Sequence, residues 1–282
     1  MEKFTTVGET AIHYSDNERP GPVLVLLHGY LESLEVWDEF AGQLGKTGYR
    51  VITLDLPGHG ISEVMGETHT MDFLAETVKQ LLDKLGVSKV ALIGHSMGGY
   101  AALAFAKLYP ETLNALVLFH STPDADSEEK KADRLREIEI VKAGRKEMLS
   151  RILPGTRFAS ENRKKLTDEI DALGLQVMLT EDEGIIAILN GMMQRVDMNP
   201  MLKELKVPQL FIFGRFDELI PVEKAEALIA KNPQAQVAWL EHSGHMGFLE
   251  EPVRSLEIIE AFIPIEKDVD QSTDRSDQEP RG

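Results

Sequence analysis

The stretch Leu92-Ile93-Gly94-His95-Ser96-Met97-Gly98-Gly99-Tyr100 constrains this chain more than any other. It sets a serine between glycines, after the apolar run KVALI and before YAALAFAKLY, so a β-strand must pass into a helix within a few residues. A reversal that sharp strains the backbone of its central residue. It also brings strand and helix too close for side chains at 94 and 98, which is why both positions are glycine. The Ser96 hydroxyl is then pushed out at the carboxyl edge of a parallel sheet, above the positive end of the following helix, where open α/β sheets bind ligands. The same pattern also arises by chance, with the serine a plain helix cap, so the rest of the chain has to decide between the two.

Around this turn the first part of the chain alternates short aliphatic runs with helical patterns, as a helix-covered parallel sheet requires. The runs predict strands at Phe4–Val7, Ala11–Ser15, Val23–Leu27, Arg50–Leu54, Lys89–Ile93 and Leu113–Phe119, with helices at Trp37–Lys46, Met71–Leu85 and Met97–Tyr109. The first two strands read as an antiparallel hairpin around Gly8-Glu9-Thr10. After Phe119 the alternation stops. Residues 127 to 205 read as consecutive helices, as in SEEKKADRLREIEIVKAG, where Leu135, Ile138 and Val141 recur at helical spacing. Strands resume at Gln209–Phe213 and Gln236–Leu240, with helices at Val222–Lys231 and Pro252–Phe262. The expected fold class is α/β: a mostly parallel central sheet of about eight strands with flanking helices and an inserted helical block. The sheet unit comprises residues 1–122 and 206–265, the helical block 123–205, and the polar stretch 266–282 is expected to be a disordered tail.

Composition removes whole classes of function. A formal charge of −17 argues against a nucleic-acid partner, and no apolar run approaches the length of a membrane span. A soluble, cytoplasmic protein is expected, monomer or homodimer, acting on a small molecule. The absence of cysteine excludes a thiol nucleophile and thiolate metal sites. Charge is unevenly spread: residues 1–122 carry 8 basic against 15 acidic side chains, and residues 123–207 carry 15 against 17.

A serine hydroxyl needs a base to become a nucleophile, and the base needs an orienting acid. Among eight histidines, His245 in EHSGHMGF lies between the last strand and the last helix, at the same sheet edge as Ser96. His242 is the nearest rival, and His13, His59 and His69 read as turn or surface groups. Asp217, in FIFGRFDELIP, lies just past another strand end. Its neighbour Glu218 is expected to point elsewhere, and Asp124 after the strand ending at Phe119 is the competing acid. Negative charge on a tetrahedral intermediate needs donors: the backbone N–H of Tyr30, after the strand ending LLHG, and of Met97, following the serine. Pocket-lining positions are expected at His28, Gly29, His95, His120, Met192 and Met193. No metal or cofactor is expected.

The chain order Ser96, Asp217, His245, with His28-Gly29 upstream, closely resembles the α/β-hydrolase superfamily over residues 4 to 264. The turn Asp55-Leu56-Pro57-Gly58-His59-Gly60-Ile61-Ser62, a DxPGxGxS pattern, strengthens the likeness, with Asp55 and Ser62 in structural roles. The resemblance implies that residues 123–205 form a cap inserted after the sixth strand, which excludes water and shapes the pocket. Branches with aspartate at the turn, the haloalkane dehalogenases and epoxide hydrolases, do not match Ser96, and the block lacks the tyrosines that epoxide hydrolases use. The expected reaction is hydrolysis of a small ester through an acyl-enzyme, in the manner of a carboxylesterase. Carbon–carbon bond hydrolysis, a related lyase reaction, or a slow-turnover receptor on the same triad are the alternatives. The block holds Met148, Met178, Met192, Met193, Met198 and Met201, of which one or two are expected at the pocket. Its basic residues suit either an acidic substrate or a solvated helix face.

Overall fold

The computed structural model describes residues 2–265, and the polar tail read as disordered lies outside them. The strands are β1 (Glu2–Val7), β2 (Thr10–Asp16), β3 (Val23–Leu27), β4 (Arg50–Leu54), β5 (Val90–His95), β6 (Leu113–Phe119), β7 (Gln209–Gly214) and β8 (Gln236–Leu240). They form one sheet in the order β1-β2-β4-β3-β5-β6-β7-β8. The pairs β1–β2 and β2–β4 are antiparallel, and every other pair is parallel. The helices are α1 (Asp38–Thr47), α2 (Met71–Lys84), α3 (Met97–Leu108), α4 (Glu128–Lys142), α5 (Lys146–Thr156), α6 (Thr167–Leu179), α7 (Asp182–Met193), α8 (Asn199–Glu204), α9 (Val222–Lys231), α10 (Gly247–Glu250) and α11 (Pro252–Phe262).

The aliphatic strands are continuous because both sheet faces are covered. In β3, Leu24 and Leu26 pack with Trp37, Phe40 of α1 and Ile259 of α11. Val25 and Leu27 point the other way, onto Leu74 and Val78 of α2 and Phe105 of α3. All four strand residues are fully buried, each contributing about 1.5–3 kcal/mol of burial. Helix starts follow local chemistry: Thr70 caps α2 by accepting from Phe73 N–H, and Ser127 caps α4 by accepting from Lys130 N–H. The turn after β4 closes on Asp55, whose Oδ1 accepts from Leu34 N–H at 2.7 Å and Oδ2 from Ile61 N–H at 3.0 Å. Ser62 Oγ accepts the His13 N–H at 2.9 Å and ties this turn to β2.

Helices α4 to α8 lie between β6 and β7. They meet the sheet unit at its carboxyl edge, where Arg157 reaches the Tyr30 carbonyl, Ala159 N–H reaches Glu250, and His69 N–H reaches the Ala187 carbonyl. The buried face of α4 is rotated from the one expected. Ile138 and Val141 are buried as read, but their companion is Arg134, and Leu135 is 53% exposed. A buried guanidinium is tolerated there because Asp126 pairs with it twice, at 2.5 and 3.3 Å. No helix among the described residues is long and apolar enough to cross a membrane.

Candidate active site

Backbone geometry at the turn is as strained as the sequence demands. Ser96 sits at φ 50°, ψ −114° between β5 and α3, a conformation that side-chain-bearing residues seldom adopt. A Cβ at Gly94 would strike the backbone of Gly98 and Gly99, and one at Gly98 would strike the carbonyls of Leu27 and His28. The two glycines therefore let α3 start directly against β3 and β5, and the serine is held at the apex.

Side chains from three widely separated segments converge on that apex. His245, just after β8, places Nε2 2.9 Å from Ser96 Oγ and Nδ1 2.8 Å from Asp217 Oδ2. Asp217 follows β7 and is 3% exposed, as is His245. Its other oxygen, Oδ1, accepts N–H bonds from Leu219 and Ile220 at 2.8 and 3.0 Å. A second histidine joins it: His120 Nδ1 lies 3.1 Å from Oδ2, while His120 Nε2 accepts the Gly247 N–H at 3.2 Å. Because Nε2 accepts, His120 carries its proton on Nδ1 and donates it to Asp217. Burial works against ionising Asp217, but His245 and His120 outweigh it and hold the carboxyl well below the usual range. An ionised Asp217 keeps the His245 proton on Nδ1, which leaves Nε2 free to accept from Ser96.

Tyr30 and Met97 line a cavity of ≈ 470 Å³ together with Ser96, His120 and His245. Met97 is the first residue of α3, where backbone N–H groups have no partner within the helix. The opposite wall comes from the inserted helices and is charged. Arg134 and Arg195 share Asp126, and the Arg195 guanidinium lies 3.5 Å from the centre of the Tyr100 ring. Arg134, Arg157 and Arg195 all face the cavity. None of them was singled out in the sequence. The concentration of half of all basic residues in 123–207 was visible, but a charged helical run looks the same whether it faces water or a substrate.

The structure separates the expected pocket residues into two sets. His120 and Met192 line the cavity, whereas His28, Gly29, His95 and Met193 do not. His28 is fully buried beneath the site, with Nδ1 donating to Gly29 O at 2.8 Å and Nε2 accepting from Leu56 N–H at 3.0 Å. It joins the ends of β3 and β4. Gly29 packs on the Glu32 carboxylate, which accepts its N–H at 2.7 Å. His95 is fully buried between Glu32 and the His245 carbonyl. Met193 packs against the hydrophobic core beneath the insertion. Of the six methionines of the block, Met192 alone is among the residues lining this cavity, while Met148 and Met178 are 44% and 43% exposed.

The competitors fall away on geometry. Asp124 accepts from Asn199 Nδ2 and Lys231 Nζ at 2.8 and 2.9 Å rather than facing His245. Glu218 pairs with Arg163 at the surface, and the His242 side chain is 73% exposed. His13, His59 and His69 are all buried, so none is a surface group; His59 lies in the turn after β4 as read, whereas the reading of His13 needs correction because it lies within β2. His13 faces Asp55 Oδ2 at 2.8 Å, and His69 Nε2 accepts the Met65 N–H at 3.1 Å. Among the described residues, His120, Asp217 and His245 bring potential ligand atoms within 4.8 Å of one another. The His120 and His245 Nδ1 atoms carry protons directed at Asp217, so this set serves hydrogen bonding rather than a metal.

Burial depresses the pKa of His28, His59, His69 and His245 alike, with His59 near 3. Each binds a proton less readily when folded than when unfolded, where imidazole takes one up below about pH 6.5. Stability carried by these groups is therefore present above that value and lost as pH falls through it, with a slope approaching about 1.4 kcal/mol per pH unit for each group. Thermal unfolding at 0.15 M salt, where the net negative charge is screened, is expected to give a lower Tm at pH 5 than at pH 7.5. An unchanged or higher Tm at pH 5 would contradict this reading of the four histidines.

Comparison with known proteins agrees with this fold. A sequence profile described as the alpha/beta hydrolase fold matches residues 22–138. The chain is 28% identical over 264 residues to a 2-hydroxy-6-oxononadienedioate/2-hydroxy-6-oxononatrienedioate hydrolase of Burkholderia vietnamiensis, covering 90% of this chain and 91% of that protein. It is likewise 28% identical to a pimeloyl-[acyl-carrier protein] methyl ester esterase of Aeromonas hydrophila, covering 86% and 96%. Among solved structures, a thermophilic esterase from Thermogutta terrifontis superimposes with a TM-score of 0.87 at 29% identity, over 93% of this chain and 98% of that one.

Proposed function

We propose, from the premise that this chain is a hydrolase belonging to the α/β-hydrolase superfamily, that it cleaves a small carboxylic ester through a covalent intermediate on Ser96. One observation carries the reading: an unbroken hydrogen-bonded line from Ser96 Oγ through His245 to Asp217, opening into a cavity. Ser96 Oγ attacks the acyl carbon while His245 Nε2 takes its proton. The carbonyl oxygen becomes an oxyanion facing the N–H groups of Tyr30 and Met97. The alcohol leaves with the proton from His245, and water then cleaves the acyl-enzyme with His245 again as base. Helices α4 to α8 act as the cap that shields this chemistry from bulk water.

The charged wall sets the kind of acyl group. Burying a long alkyl chain against Arg134, Asp126 and Arg195 would desolvate paired ions with no hydrogen bonds in return, so a short or polar acyl group fits better. A second reading, hydrolysis of a carbon–carbon bond in a vinylogous diketone acid, draws on the same arginines and on the Burkholderia relative's activity. Kinetics on p-nitrophenyl acetate, butyrate and decanoate and on a vinylogous diketone acid separate the two. Ester hydrolysis with kcat/KM at least about tenfold higher for butyrate than for decanoate is expected, tenfold being some 1.4 kcal/mol of transition-state binding. A diketone preferred over every ester would establish the second reading instead.

A further inference from the structure

Below the loop after β3 lies a charged cluster with no part in the steps above. Glu32 is 1% exposed. Its Oε2 accepts the Gly29 N–H at 2.7 Å and faces His95 Nδ1 at 3.0 Å, and its Oε1 accepts Arg157 Nη1 at 3.0 Å. Burial opposes a charge on this carboxyl, yet His95, Arg157 and the Gly29 N–H overcome it and hold its pKa at about 2. His95 Nε2 lies 2.8 Å from the His245 carbonyl, which can only accept, so Nε2 bears a proton. His95 thus bridges the Glu32 carboxylate and the His245 backbone, sealed under the turn.

Arg157, at the end of α5, extends this cluster to both working parts of the site. Its Nη2 donates to the Tyr30 carbonyl at 2.6 Å, and its own carbonyl accepts the His245 N–H at 2.6 Å. The peptide units at His245 are thus held on both sides, by Arg157 and by His95. Between the Tyr30 carbonyl and the Glu32 side chain lies Leu31, a non-glycine residue at φ 60°. Such a conformation is strained and persists only where its surroundings over-determine it. Here the surroundings are Arg157 on one flank and Glu32 on the other. If Arg157 is removed, the turn can relax, the Tyr30 N–H shifts, and Glu32 loses a partner in a place where a buried charge needs compensation.

We infer that Arg157 is a positioning residue which, with Glu32 and His95, locks the Tyr30 loop and His245 to the inserted helices. Those helices thereby set the geometry of the reacting groups as well as covering them. This rests on the serine-hydrolase reading given above.

The test compares wild type with Arg157→Met, Arg157→Lys and, as a control on the exposed face of α5, Arg151→Met. Turnover of p-nitrophenyl butyrate, the rate of Ser96 phosphonylation by a fluorophosphonate, and thermal unfolding are measured on each. Displacing an oxyanion donor costs less than the roughly 10²–10³ of deleting one. Arg157→Met is accordingly expected to lower kcat and the phosphonylation rate in parallel by about 10–100-fold, with KM changed less than about threefold. Lysine can reach Glu32 or the Tyr30 carbonyl but not both, so Arg157→Lys is expected to fall between, and it provides the measurement should the methionine variant not fold. Arg151→Met is expected to match wild type. A folded Arg157→Met or Arg157→Lys that is phosphonylated at the wild-type rate overturns the inference, as does a rise in KM alone. Failure of the wild type itself to react with the fluorophosphonate or to turn over esters would instead overturn the serine-hydrolase reading.

Discussion

Ser96→Ala is expected to lower kcat/KM for short p-nitrophenyl esters by about 10⁴-fold or more while the protein remains folded. The size follows from the absence of a substitute. Zero cysteines leave no thiol to take over, and the hydroxyl that accompanies Ser96 at the turn, Ser121 Oγ, already donates to the Ser96 carbonyl at 2.7 Å. Stability should change by less than about 1 kcal/mol, because among the described residues Ser96 Oγ bonds only the His245 ring. Alanine also occupies the positive φ at no greater strain than serine. A variant that keeps a tenth of wild-type activity would remove Ser96 from the reaction. Loss of activity accompanied by loss of the circular dichroism of the folded state would leave the strained turn, rather than the hydroxyl, as the cause.

Asp217→Asn is expected to cost about as much, on the order of 10⁴ in kcat, and Asp124→Asn no more than about threefold, within the range of ordinary surface changes. The asymmetry is geometric. Both Oδ2 contacts of Asp217 come from protonated Nδ1 atoms, of His245 and His120, and both Oδ1 contacts come from backbone N–H groups. An asparagine amide therefore meets donors whichever way it turns. If NH₂ replaces Oδ2, His245 must move its proton to Nε2 and can no longer accept from Ser96. If it replaces Oδ1, the N–H groups of Leu219 and Ile220 lose their acceptor, which costs about 1–3 kcal/mol at the buried one of Ile220. Asp124 lies instead among Asn199 and Lys231, and its exchange touches only that pair. Steady-state kinetics on both variants measure the contrast, and a larger loss in Asp124→Asn would move the acid to the end of β6.

What could be read from the sequence depended on how far each feature's causes lay along the chain. β3, β4 and β6 begin and end where the aliphatic runs do, because burial on both faces writes itself into consecutive residues. The turn at Ser96 was legible for a similar reason: its glycines answer to contacts within a few residues and with the neighbouring strand. Positions in the pocket were harder. His28 and His95 stand beside the right residues in sequence, yet alternation along a strand sends their rings under the site instead of into it. Arg134 displaced Leu135 from the buried face of α4 because its burial depends on Asp126, a partner outside the helix's own spacing. Arg157 answers to Glu32, 125 residues away, and no local pattern marks such a pair. The burial of His13 was missed for the same reason, its partner Asp55 lying 42 residues away.

The central claim is a covalent acyl group on Ser96, and it is tested most directly by mass spectrometry of protein quenched during turnover of p-nitrophenyl butyrate. A mass gain of one butyryl group, mapped to the peptide containing Ser96, formed no slower than turnover and absent from Ser96→Ala, is the expected result. Turnover at the wild-type rate with no adduct, under conditions where release of p-nitrophenol shows a burst, would contradict the account, as would an adduct that maps elsewhere or survives in Ser96→Ala.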